Sequence, residues 1–114
     1  MNKRITFRHM DHTKALEDHA NKHLAKIEHF LEQEQAPLNI DLVLESAKPH
    51  AHHQIELRIK TPQFDVIVSE EGPDFYLMLD KVINVAYERL HEQKQRHVDD
   101  RKRLGRHDEF KKQR

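Results

Sequence analysis

Val68-Ser69-Glu70-Glu71-Gly72-Pro73-Asp74-Phe75-Tyr76-Leu77-Met78-Leu79-Asp80 joins the end of one kind of element to the start of another. Upstream, Phe64, Val66 and Val68 stand two apart, the spacing of one strand face. Gly72-Pro73 then breaks the ladder, because proline lacks the N–H that a strand must donate. Asp74 follows as an acidic N-cap, its carboxylate able to take the orphan N–H groups of a helix's first turn. Phe75, Leu79, Val82, Ile83, Ala86 and Leu90 then recur at three and four, the core stripe of one helix. Its register runs to about Val98.

The rest of the chain reads outward from this junction. Ile55, Leu57 and Ile59 alternate with Glu56, Arg58 and Lys60, giving a third strand. Thr61-Pro62-Gln63 is short enough to be a hairpin connection. Ser46 to His53, with Pro49, is a polar loop. Leu38, Ile40, Leu42 and Leu44 alternate with Asn39, Asp41, Val43 and Glu45, the strongest period-2 signal present. Leu16, Ala20, Leu24, Ile27 and Leu31 form the stripe of a first helix, with Thr13 as N-cap and Pro37 marking its end. Ile5 and Phe7 alternate with Arg4, Thr6 and Arg8 in a short first strand. The order is β-α-β-β-β-α. Each strand has one apolar face, so the expectation is an α+β fold: a four-stranded mixed sheet with two helices packed on one face. A right-handed crossover through the first helix makes strands one and two parallel and leaves the other pairings antiparallel.

Composition narrows the function. The 114 residues suit one domain, placed at 1–97, with 98–114 as a basic, flexible, solvated tail. There are no cysteines, which excludes disulfides, thiolate metal sites and thiol catalysis. No apolar run reaches the roughly 20 residues of a membrane span, and a cytoplasmic location is expected. With only Gly72 and Gly105, no glycine-rich phosphate loop can form, and Ser69 has no nucleophile elbow around it. An enzyme is therefore not expected. The formal net charge of +0 hides a gradient: residues 36–72 hold three Lys/Arg against six Asp/Glu, and residues 73–114 hold eleven against eight. There are also eleven histidines. An imidazole ordinarily titrates at about pH 6.5, so mild acid makes this neutral chain cationic.

Several motifs together resemble the ribosome hibernation-promoting factor and ribosome-associated translation inhibitor family, in its short form. They are Ile5-Thr6 opening a strand, Thr13 starting a helix, Leu24-Ala25-Lys26-Ile27-Glu28 near that helix's end, and Glu71-Gly72-Pro73-Asp74-Phe75-Tyr76. The resemblance covers roughly residues 3–97. It implies binding to the small ribosomal subunit and its RNA, inhibition of translation and silencing of idle ribosomes under stress or in stationary phase. It implies no catalysis, no cofactor, no metal and no small-molecule substrate. Long members carry a further C-terminal dimerisation domain, for which this chain leaves no room, so a monomer is expected.

The surfaces that would meet RNA follow from helical periodicity. On the first helix His19, Lys22, His23, Lys26 and His29 share one flank, and Glu17, Glu28 and Glu32 the other. Segregated signs make a cationic ridge, and protonated imidazoles would strengthen it toward phosphate as pH falls. The resemblance marks Lys26 as a basic family position. On the second helix the family's basic stripe falls on Val85, Glu88, Glu92 and Arg96, beside Lys81. Three of those positions are not basic here. The expected RNA contacts are thus the first-helix ridge, Lys81, Arg96 and the tail cluster Arg101-Lys102-Arg103. Two other readings stay open. One is a diverged member that binds a protein through Glu88 and Glu92, and the other a pH- or metal-responsive histidine protein. His19 and His23 are spaced i,i+4 like a metal-binding pair, but Ala20 stands where a metalloprotease glutamate would, and no metal site is expected. His50, His52 and His53 could chelate adventitiously. Asp74 and Asp80 do not form a carboxylate pair, and Tyr76 is expected to pack at the helix start, not to stack on a base.

Overall fold

The computed structural model describes residues 1–46 and 52–112, the last twelve of these as helix backbone alone. The elements are β1 (Asn2–Arg8), α1 (Lys14–Leu31), β2 (Asn39–Glu45), β3 (His53–Lys60), β4 (Asp65–Gly72) and α2 (Phe75–Lys112). The sheet order is β1-β2-β3-β4, with β1 parallel to β2 and the two remaining pairings antiparallel. This is the expected α+β topology.

Alternation decides which side of the sheet is dry. Ile40, Leu42 and Leu44 of β2 pair with Ile59, Leu57 and Ile55 of β3, and all are buried. Val66 and Val68 continue the layer into β4. Both helix stripes close over it: Leu16, Ala20, Leu24, Ile27 and Leu31 from α1, and Leu79, Val82, Ile83, Ala86 and Leu90 from α2. The opposite face carries Arg4, Asp41 and Arg58 in one cross-strand row, side chains that water solvates without cost.

The junction around Gly72 behaves as its sequence says. Asp74 Oδ1 accepts from the Tyr76 and Leu77 N–H groups at 2.9 and 3.4 Å, and the Asp74 carbonyl accepts from Met78 N at 3.1 Å. Gly72 is buried at the end of β4, where an added Cβ would lie 3.2 Å from Met78 Sδ. A close approach, not a left-handed φ, is what asks for glycine here. In the hairpin, Thr61 Oγ1 accepts from the N–H groups of Gln63 and Phe64 at 3.2 and 2.8 Å.

Some local expectations are corrected. Thr13 stands at the N-cap of α1, but its hydroxyl makes no capping bond and turns to the Asp11 carbonyl at 3.4 Å. The first turn is tied down instead by a His12–Glu17 contact. Helix α1 stops at Leu31, well before Pro37. Its apolar stripe runs out there, because Glu32-Gln33-Glu34-Gln35 offers nothing to bury. Helix α2 does not fray near Val98 but continues to Lys112. The segment assigned to a tail is rich in Lys and Arg, both good helix formers, and Gly105 costs a helix only about 1 kcal/mol. The 46–53 loop lies largely outside the described residues, His50 with it. His53 belongs to β3 and stacks on Phe75 with ring centroids 4.3 Å apart, so it is not a loop chelator.

Candidate nucleic-acid interface

Helix α2 has three working faces around its core stripe, and each has a different neighbour. Asp80, Asn84, Tyr87, His91 and Lys94 repeat at four and three residues and look toward α1. Arg89, Gln93 and His97 repeat at four and look toward the edge of β4. Lys81, Glu88, Glu92 and Arg96 are exposed along the crest between those two faces.

The face toward α1 forms a seam of cations and aromatic rings. His19 Nε2 lies 2.7 Å from Asp80 Oδ1, and His23 Nε2 lies 3.3 Å from the same oxygen. The edge of the His19 ring meets Tyr76 at 5.0 Å between centroids. One turn along, Lys26 Nζ bonds Asn84 Oδ1 and sits over the Tyr87 ring, 5.0 Å from its centroid. Farther on, Lys94 Nζ sits over Phe30 at 5.1 Å, and His91 packs edge-on against both Phe30 and Tyr87. The rings hold the ammonium groups by cation–π attraction while leaving donors open to solvent. Lys22 and His29 point outward beside this seam and are exposed; His29 Nδ1 lies 3.4 Å from Glu32.

The signs on α1 are segregated only in part, since Glu32, expected on the acidic flank, lies against His29 of the ridge. Glu28 reaches Lys3 of β1 at 2.6 Å, and Glu17 contacts His12. Both acids are thereby taken up on the flank away from α2. The seam is not purely basic, since Asp80 stands between the two imidazoles.

The β4 face has a structural duty. Arg89 Nη1 donates to the Ile67 carbonyl at 2.7 Å, Gln93 Nε2 to the Asp65 carbonyl at 3.2 Å, and His97 Nε2 lies 3.1 Å from the Gln63 carbonyl. Four helical residues rise about 6.0 Å and two strand residues about 6.6 Å, so the two series stay in step. The Asp65 and Ile67 carbonyls of this edge strand are thus satisfied by side chains and closed to another strand.

The expected contact residues therefore separate. His19, His23 and Lys26 come together in the seam, with Lys22 and His29 along its outer rim. Lys81 Nζ is held by Glu70 Oε1 of β4 at 3.2 Å, and Arg96 is exposed farther along the crest. Arg101, Lys102 and Arg103 continue α2, and their side chains lie outside the described residues. Val85 is partly buried against the core, so it is not a surface position from which a charge has been lost. The sequence reading missed Lys94, His91 and Tyr87 as partners of the ridge. Their signal was present as a second stripe, 80-84-87-91-94, one flank over from the core stripe. Tyr76 is 42% exposed, and at the helix start its ring packs against His19 and not into the core.

The comparisons with known proteins agree with this architecture. The N-terminal domain of Thermus thermophilus Protein Y superposes with a TM-score of 0.62 at 26% identity, covering 85% of this chain and 99% of that one. A ribosomal subunit interface protein from Coxiella burnetii superposes with a TM-score of 0.65 at 20% identity, covering 82% and 98%, a likeness of fold. No curated protein matches the chain by sequence. Among the described residues, no helix is long and apolar enough to cross a membrane. The family described as Sigma 54 modulation protein / S30EA ribosomal protein matches residues 4–98, and the chain belongs to this family of ribosome-associated factors.

Proposed function

We propose that the chain docks its α1–α2 face on RNA of the small ribosomal subunit and inhibits translation by occupancy, as a hibernation factor of stressed or resting cells. The observation that carries this reading is the seam, where Lys26 and Lys94 are held over aromatic rings with Lys22 and His29 on the rim. Cations fixed by packing lose less freedom when they meet phosphate than cations on free stems. Membership of a family of ribosome-associated factors supports a ribosomal partner. Arg96 and the Arg101-Lys102-Arg103 cluster extend the contact along α2. Lys81 joins it by exchanging Glu70 for a phosphate. No cofactor and no reaction chemistry are needed, and the protein acts as a cytoplasmic monomer.

The test is co-sedimentation with small subunits across a salt series. Lys22 is exposed, so Lys22→Glu leaves the fold intact. Binding should weaken for that variant, and the slope of log K against log salt should fall by roughly 0.7–0.9 for the lost phosphate contact. An unchanged slope would remove the α1 rim from the interface, and no co-sedimentation of the wild type at low salt would sink the reading altogether.

A further inference from the structure

We propose a transition-metal site, best suited to Zn2+, formed by His19 and His23 of α1 and Asp80 of α2. The three ligand atoms all lie within 4.8 Å of one another. The sequence offered only the i,i+4 histidine pair; the fold brings the third donor from 61 residues away from His19. Both Nε2 atoms converge on a single oxygen, Asp80 Oδ1, at 2.7 and 3.3 Å. In a tetrahedral zinc site with bonds of about 2.0–2.1 Å, ligand atoms stand roughly 3.3 Å apart. The His23–Asp80 edge already has that length, and the His19–Asp80 edge opens by about half an ångström when an ion replaces the hydrogen bond.

The ligands are pre-positioned from both sides. His19 and His23 sit one turn apart, fixed by the buried Ala20 and Leu24 beside them. Asp80 follows the buried Leu79. The T-shaped contact with the Tyr76 ring restrains His19, and Lys26, the next cation beyond His23 on α1, is engaged by Asn84 and Tyr87. Side-chain exposures of 25%, 33% and 41% for His19, His23 and Asp80 leave an entry path and room for water at the fourth position. Two imidazoles and one carboxylate favour Zn2+, and also Ni2+, Co2+ or Cu2+, over Mg2+ and Ca2+, which demand oxygen shells. An ion here would staple the two helices and add positive charge to the seam.

The experiment is calorimetric titration of the full chain with Zn2+ at neutral pH, without ribosomes. One equivalent should bind and should raise the melting temperature. His23→Gln and Asp80→Asn should each weaken binding at least about a hundredfold, the upper end of what outer-shell changes alone cost. His52→Gln should bind zinc as the wild type does, and millimolar Mg2+ should not compete. Unchanged folding of Asp80→Asn is checked by its circular dichroism. Absence of a stoichiometric zinc, retention of it in both ligand variants, or its loss in His52→Gln would each overturn the proposal. The titration is made without ribosomes, and docking is read out separately by co-sedimentation.

Discussion

The two flanks of α2 carry similar residues and do opposite things. On one, Lys94 and His91 face α1 and keep their charge or donors at the surface of a seam. On the other, Arg89, Gln93 and His97 face β4 and give their donors to backbone carbonyls. A count of basic residues along the helix treats Arg89 and Lys94 as equals. The neighbours decide: a strand edge needs donors more than solvent does, whereas a helix partner presents aromatic faces and leaves the ammonium free. Basic residues of α2 are thus tied to the backbone on one flank and left facing solvent on the other.

Leu90 lies on the core stripe between both flanks and is fully buried. Leu90→Ala should destabilise the domain by about 2–5 kcal/mol, from lost burial plus the cavity left behind. Chemical denaturation with unchanged m-value would measure it. Because α2 positions both flanks, seam binding and edge protection should fail together as the domain unfolds. A variant that lost one and kept the other would show that the flanks are not held by a common core.

The second-largest effect separates the flanks. Lys26→Gln with Lys94→Gln removes both ring-held cations of the seam. Each lost phosphate partner should weaken small-subunit binding about tenfold, on the order of 1.4 kcal/mol apiece, with a shallower salt dependence. Stability should move by much less, since both ammonium groups sit at the surface. Equal losses of binding and stability would mean that the seam lysines are structural, and the contrast with Arg89 would collapse.

What the sequence could carry follows the same division. Period-2 runs such as Leu38 to Leu44 and the α2 stripe from Leu79 to Leu90 report burial, which one chain segment records by itself. They gave the topology, and Asp74 gave the cap, because cap and first turn are local. Asp80 as the third partner of His19 and His23 was not legible. Nothing near residue 80 says which part of α1 will lie opposite. The same holds for Arg89, whose acceptor is a carbonyl, a group every residue has and no sequence pattern marks. The hydroxyl of Thr13 failed as a cap for a smaller reason: the loop before it offered the Asp11 carbonyl instead. The reach of α2 to Lys112 was missed because charged helix formers and a solvated tail share one composition.

Arg89→Ala tests the edge flank directly. One charged donor to the Ile67 carbonyl is lost at an exposed site, so the expected cost is about 1 kcal/mol in denaturant. Small-subunit binding should be unchanged. The freed Ile67 carbonyl should also make the protein more prone to strand-edge association at high concentration, visible as concentration-dependent light scattering. Weakened ribosome binding with unaltered stability would move Arg89 from the structural flank to the docking flank.

The smallest expected effect is on the crest, where Glu88 is exposed between the two flanks. Glu88→Lys touches neither the seam contacts nor the β4 ladder, so stability should stay within about 0.5 kcal/mol of the wild type. Its influence on docking is electrostatic and acts across solvent screened over about 8 Å at physiological salt. If the seam meets RNA, reversing this charge adds attraction to the phosphates beyond the crest. Affinity for small subunits should then rise a few-fold at low salt and return to the wild-type value as salt increases. If the crest instead meets a basic protein surface, the same change removes attraction and adds repulsion, and affinity falls. The sign of the change, measured by co-sedimentation at two salt concentrations, therefore separates an RNA-facing seam from a protein-facing crest without disturbing the fold that presents both.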